Sequence, residues 1–347
     1  ASDVYKRQMQ QEQIQWEANV WYLERLHLGK HRIDESKSLI SISFMEVKEI
    51  QNREILQAYM KYELGITGQA VSTIVRRFVC IRNFIELLEQ ENILAIHATV
   101  AEVKKYADGL RERGIQAKGF NERIFGIGHF YKFMEVKQYI TRMPFRIEYF
   151  QQKEVIVHHD RSVEETVYME ILKKLYLFPE RLRCMFLHLW CLGLRASEVC
   201  TLKGNAYYQQ GEDYWIQVYQ VKMKNYKRIP IPQALYQIMK VYLKKHEIQP
   251  EEFIFKNNRG GACLYGTFRT QMIEACRENK IANGEYLFQS HDYRHTVATM
   301  FYDSHVSLQS IRDYLGHTYE EMTRQYIDYM PQRIAKANDE FFEMQGS

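Results

Sequence analysis

The sequence predicts a mainly α protein with two domains and one small β-hairpin. Apolar residues recur at three- and four-residue spacing over most of the chain, with glycines between the runs that can stop helices. Strand-like segments stand together at 214–221 (YWIQVYQV) and 227–232 (KRIPIP), joined by a short polar turn. After Pro144 a polar stretch, EYFQQKEVIVHHDRS, breaks the helical pattern and divides the chain. Its 347 residues allow one to three domains.

Residues 1–8 precede the first methionine, Met9, and are set aside as foreign to the fold. Over 12–38, Trp16, Val20, Leu23 and Leu26 recur at helical spacing and predict a short appended helix ended by Gly29. His27 and His31 are four apart, but no Glu or Cys stands near to complete a metal site, so they read as surface histidines. A helix over 46–64 closes at Gly65. A second opens at Thr67 or Gln69 and carries Ile74, Phe78, Ile81, Phe84, Ile85 and Leu88. A third follows the capping box Thr99-x-x-Glu102 and stops near Gly114. A fourth covers 116–136, where Gly126 and Gly128 suggest close packing against a helix or against DNA. Beyond the polar stretch come helices over 163–176 and 180–192, the second strongly apolar and ended by Gly193. Further helices cover 233–246, 267–280 and the region after Ser290.

The net charge of +4 is only weakly basic and does not by itself mark a nucleic-acid binder. The stretch 104–146 is more basic, with ten Lys and Arg against four acids. Arg76, Arg77, Arg82, Lys104, Lys105, Lys118, Arg123 and Lys132 are therefore the candidate DNA contacts, set against the commoner meaning of charge runs as solvated helix surface. The six cysteines form no C-x-x-C pair and read as buried reduced thiols. No apolar run approaches the ~18 residues of a membrane span, and no signal peptide is visible.

Three places in the second half offer charges that can meet. Arg195 follows a helix-ending Gly-Leu, with Glu198 three residues on. The hairpin turn carries Lys222, Lys224, Lys227 and Arg228, a composition that usually means solvated turn lysines. In Ser290–Tyr329, His291 and Arg294 share a helical face, Gly316 ends a later helix ahead of His317, and Tyr326 follows nine residues later. Two guanidiniums and two histidines beside a tyrosine suit a phosphodiester, because planar guanidinium donors match its oxygens and fixed donors favour the more negative transition state. Tyr326 is one of 25 tyrosines, so its frequency alone argues nothing.

In order and spacing, the pattern Gly193-Leu194-Arg195-x-Ser197-Glu198, a hairpin lysine before a Pro-containing strand, His291-x-x-Arg294-His295-Thr296, Leu315-Gly316-His317 and Tyr326 resembles the tyrosine recombinase (phage integrase) family. The likeness covers about 163–330, and 44–145 looks like that family's helical, SAM-like core-binding domain. The N-terminal segment with its Trp pair is similar to recombinases encoded by transposons. The resemblance implies Arg195, Lys222, His291, Arg294 and His317 as the activating set, Tyr326 as nucleophile and Glu198 as supporting acid. Lys222 stands eight residues before Pro230, as the family spacing suggests, while Lys224 shares its turn. Gly204-Asn205-Ala206 departs from the family, where an acid is common at this place.

The implied domains are an extension over 1–40, a core-binding domain over 41–145, a linker over 146–161 and a catalytic domain over 162–347. In the tail, 332–347, Ile334, Ala337, Phe341 and Met344 are expected to dock on a neighbouring subunit. The implied activity is cleavage and rejoining of double-stranded DNA at specific recombination sites through a 3′-phosphotyrosyl bond. It implies a synaptic homo-tetramer, accessory DNA-bending or directionality proteins, and a bacterial, cytoplasmic, nucleoid-associated setting. No cofactor and no catalytic metal are expected, because cationic and donor side chains replace metal ions. The rivals are relaxation of DNA by a type IB topoisomerase-like enzyme and a DNA-binding regulator that has lost catalysis.

Overall fold

The computed structural model describes residues 16–26, 28–38, 41–155, 161–221 and 223–316. They divide into two compact units, the first within 1–34 and 39–156, the second within 35–38 and 157–347. No helix among the described residues is long and apolar enough to cross a membrane.

The first unit is a helical bundle with a small ribbon. Strands β1 (Val20–Tyr22) and β2 (Ser41–Ser43) pair antiparallel, with Trp21 opposite Ile42. The helix expected over 12–38 is thus replaced by a strand and two short 3-10 turns. The burial fits a strand: Trp21 is buried while its neighbours Val20 and Tyr22 are half-buried and exposed. Trp21 stacks edge-on against Phe44, and Phe44 against Phe78, which anchors the ribbon to the bundle. Arg32 donates to the carbonyls of Leu64 and Glu63, satisfying the open C-terminal end of the first helix, and to that of Gln69 in the loop beyond it.

That helix is α1 (Ile50–Gly65), followed by α2 (Val71–Gln90), α3 (Val100–Glu112) and α4 (Ala117–Val136). The predicted capping box forms: the Thr99 hydroxyl accepts from Ala101 N, and Glu102 accepts from Thr99 N at 2.7 Å. The α4 glycines serve protein packing. A Cβ on Gly126 would stand 3.3 Å from Arg77 Cγ on α2, and one on Gly128 would collide with Ile147. Packing also continues past 145, where composition placed the start of the linker. Phe150 is buried against Phe145, and Asn121 exchanges two hydrogen bonds with the Gln152 backbone.

The second unit opens with α5 (Glu165–Lys174) and the apolar α6 (Glu180–Leu192), which lies in its core. Gly193 ends α6 at φ +58°, and α7 (Ala196–Cys200) begins after a three-residue turn. A three-stranded antiparallel sheet follows in the order β3 (Tyr207–Gln210), β4 (Asp213–Gln220), β5 (Asn225–Pro230). The β4–β5 pair is the expected hairpin, while β3 is an addition, a four-residue YYQQ strand without apolar alternation. Helices α8 (Gln233–Lys245), α9 (Tyr265–Glu278), α10 (Ser290–Asp303) and α11 (Leu308–Leu315) complete the described fold. All six cysteines are thiols, five of them buried.

Candidate active site

The site is assembled where α6, α7, α10, α11 and the β4–β5 ribbon end. Gly193 makes the sharp exit from α6 at a positive φ, in a crowded space: a Cβ there would lie 3.2 Å from both Leu315 and Val297 side chains, which would have to give way. The turn delivers Arg195 to the N-cap of α7. Its backbone N–H donates to Glu198 Oε2 at 2.8 Å and its Nη1 to Oε1 at 2.9 Å, so one carboxylate fixes both ends of the arginine. The Arg195 side chain remains 22% exposed.

Arg294, on the first turns of α10, is only 1% exposed. Nη1 donates to the Gly193 carbonyl at 2.7 Å, 101 residues away in sequence, and Nη2 to the Leu315 carbonyl at 2.5 Å. It therefore clamps the end of α6 to the end of α11. Sequence reasoning gave the two arginines one equal role, gripping phosphate oxygens. The structure separates them by burial: Arg195 keeps part of its side chain at the surface, and Arg294 is buried against two backbone carbonyls.

Glu198 is nearly fully buried, which alone would raise its carboxyl. Lys227, then Arg294 and Arg195, and the hydrogen bond from Gln220 Nε2 at 3.0 Å overcome this and hold it down at about 2. His291, one turn before Arg294, keeps an exposed edge. Even so, removal from bulk water and the charges of Arg294, Arg161 and Arg195 push its ring down to about 4, so it is neutral at physiological pH. Its neighbour His295 stands edge-on, with ring centroids 5.0 Å apart. A neutral imidazole holds one acceptor and one donor nitrogen, so His291 can accept a proton or donate a hydrogen bond.

The structure brings Arg195, Glu198, His291 and Arg294 together. Lys222, His317 and Tyr326 lie outside the described residues, as does the 332–347 tail. Gly316, immediately before His317, ends α11 at φ +70° with its Cα against the Gln220 amide: an added Cβ would stand 2.5 Å from Nε2.

Sequence reasoning missed Lys227 and Gln220. Lys227 is 8% exposed, with Nζ 3.6 Å from Glu198 Oε2. The signal was present. Lys227, Ile229 and Ile231 alternate in KRIPIP, so Lys227 shares the face of two core isoleucines. The presumption that turn lysines are solvated hid it. Arg161 was also not chosen, although its charge reaches both His291 and His295.

The candidate DNA contacts of the first unit fall into two groups. Arg77 is turned inward, 13% exposed, donating to Glu63 Oε2 at 2.8 Å and to Gln69. That pairing commits it to the bundle and removes it as a surface contact. Arg82 lies between Glu46 and Glu86, and Arg123 donates to the Gly119 carbonyl. Lys104, Lys105, Lys118 and Lys132 are exposed on α3 and α4, three of them in surface pairs with Asp108, Glu91 and Glu135. Arg76 is exposed beside Glu122. Exposed pairs of this kind are worth little and readily exchange partners for phosphate.

Residues 161–333 match the family model described as the phage integrase family. This region belongs to the phage integrase family. Among curated relatives, transposase B from transposon Tn554 of Staphylococcus aureus is 24% identical over 339 residues, covering 95% of this chain and 54% of the transposase. The chain thus spans about half the length of that relative. Tyrosine recombinase XerC of Bacillus licheniformis is 23% identical over 304 residues, covering 83% of this chain and 92% of XerC. Among solved structures, the XerH site-specific recombinase bound to difH substrate superposes with a TM-score of 0.60 at 13% identity, over 84% of this chain and 98% of XerH. At that identity the likeness establishes the fold: a helical N-terminal unit followed by an α-rich unit with a small antiparallel sheet.

Proposed function

We propose that this chain is a site-specific DNA strand transferase, cleaving and rejoining DNA through a 3′-phosphotyrosyl bond at Tyr326 to move a mobile element. The observation that carries the reading is the convergence of Arg195 and Arg294 around the buried Glu198 carboxylate, with His291 in the field of both guanidiniums, from stretches about a hundred residues apart. Three cations, Arg195, Arg294 and Lys227, surround that single acid among the described residues, and an excess of positive charge in a low-dielectric setting favours an anion.

The chemistry follows from the groups. Attack of the Tyr326 phenolate on phosphorus builds negative charge on the non-bridging oxygens, which Arg195 meets directly and Arg294 supports by its field. Tyrosine ordinarily ionises near 10, so the attack is helped by a neutral acceptor such as His291 and by the positive field. The leaving 5′-oxygen takes a proton from Lys222, and His317 hydrogen-bonds the phosphate. The phosphotyrosyl bond conserves the energy of the phosphodiester. A 5′-hydroxyl from another strand then displaces the tyrosine and restores a phosphodiester without a nucleotide cofactor. Likeness to the Tn554 transposase favours a mobile-element setting in the bacterial cytoplasm, at the nucleoid. Exchange of two sites requires a synaptic homo-tetramer, with DNA-bending or directionality factors as accessories.

The test begins with nicked duplexes of randomised sequence, from which covalent adducts are recovered and the duplex sequenced. Two copies of the recovered site are then placed on one supercoiled plasmid. Exchange between the sites that is absent when either copy is removed supports the reading. Relaxation of plasmids lacking the site, without exchange, indicates topoisomerase action instead, and recovery of no adduct from the library contradicts strand transfer.

A further inference from the structure

The inner face of the β4–β5 ribbon is apolar until it nears the connecting turn. Ile216 and Val218 face the core from β4, Ile229 faces it from β5, and the register sets Val218 opposite Lys227. Lys227 therefore occupies a core position, where an ammonium persists only with partners of opposite charge or polarity. Among the described residues it has two, and they come from different elements. One is Glu198 on α7, 3.6 Å from Nζ, the carboxylate that holds both ends of Arg195. The other is the Leu315 carbonyl, at the long hydrogen-bond distance of 3.5 Å. Leu315 ends α11 and leads through Gly316 to His317, and the same carbonyl takes Arg294 Nη2.

We propose that Lys227 is a positioning residue for strand cleavage, its ammonium tying the Glu198 carboxylate to the carbonyl end of α11 so that Arg195 and the segment entering His317 stay in register at the phosphate. The proposal rests on the strand-transfer reading and deepens it. Burial at the inner face distinguishes Lys227 from a proton donor, which must reach the leaving oxygen. The groups facing it are Glu198 and Arg195 from α7 and its cap, Arg294 from α10, the Leu315 carbonyl from α11 and, through Glu198, Gln220 from the ribbon. Burial lowers the ammonium most; Glu198 opposes this, while Arg294 and Arg195 add to it, bringing Lys227 to about 8. It therefore carries its charge at neutral pH, and the tie is intact there.

Methionine is the informative replacement. It fills the same space without the charge and leaves Glu198 bonded to Arg195 and Gln220, which limits the penalty of a buried carboxylate that has lost one cation. Single-turnover cleavage is measured on the duplex recovered by the adduct selection, made with an ordinary scissile phosphate and with a 5′-bridging sulfur. For Lys227→Met the expected result is a cleavage rate lower on the order of a hundredfold, as for a misplaced reacting group. Reaction amplitude and duplex affinity stay near wild type, and bridging sulfur gives no rescue. Lys227→Arg restores part of the rate. An unchanged rate overturns the proposal, and rescue by bridging sulfur overturns it in favour of a proton-donor role. Loss of amplitude in both variants, in step with lost thermal stability, overturns it in favour of a purely structural one. Wild type and Tyr326→Phe run alongside: a wild type that forms no adduct on this duplex contradicts strand transfer itself, separately from Lys227.

Discussion

Glu198 is the acid against which three cations are set, so its charge decides whether they can be buried together. The folded carboxyl titrates at about 2, against roughly 4.3 for an unfolded glutamate. A depressed folded value contributes stability that is full above the unfolded pKa and is lost as pH falls toward the folded one. The contribution, about 3 kcal/mol, is thus present at neutral pH and disappears between roughly pH 4 and pH 2. Glu198→Gln keeps the shape and removes the charge. Denaturant unfolding is expected to show it about 3 kcal/mol less stable at pH 7, with a flattened acid limb between pH 4 and pH 2. An unchanged limb would show that the carboxylate is not the keystone. At this scale Arg195, Glu198, His291 and Arg294 were legible because each stands in a motif of fixed spacing. Lys227 and Gln220 were not, because a lysine or glutamine near a turn ordinarily faces water. Only the pairing of the ribbon makes them inner-face residues.

At the scale of elements, the approach of α11 to the ribbon end depends on Gly316. Its φ of +70° is unfavourable for any residue with a Cβ, and that atom would displace Gln220 from Glu198. Gly316→Ala is expected to cost about 1–2 kcal/mol in thermal stability. Single-turnover cleavage is expected to fall further than that loss explains, because the Gln220 bond goes with it. Wild-type cleavage in the alanine variant would mean that the contact has no part in the site. The helices were readable wherever local chemistry marks their ends, as Thr99 with Glu102 opens α3 and Gly193 closes α6. The N-terminal ribbon was not. Trp16, Val20, Leu23 and Leu26 imitate helical spacing, and the strand reveals itself only when Trp21 packs on Phe44, the residue after its partner strand. Strand β3 escaped for a similar reason, since its residues carry no alternation and pairing with β4 makes it a strand.

For the whole molecule, the two units were legible from the break in helical pattern, though Phe150 and Asn121 carry the first unit's packing beyond the predicted boundary. Its exposed basic helices give the DNA-binding proposal a measurable form. Replacing Lys104, Lys118 or Lys132 by alanine is expected to lower the slope of log affinity against log salt by about one for each phosphate left without its cation. Arg77→Met, which removes an internal pair, is expected to reduce thermal stability and leave the slope alone. Equal slopes in all the variants would place the DNA-binding surface elsewhere. The central claim is that Tyr326 becomes covalently joined to DNA, and its most direct test is adduct formation on the selected duplex carrying a 5′-bridging sulfur. Wild type is expected to accumulate a protein–DNA adduct whose peptide maps to Tyr326, and Tyr326→Phe to accumulate none. An adduct that persists in Tyr326→Phe and vanishes in Tyr329→Phe would contradict the account.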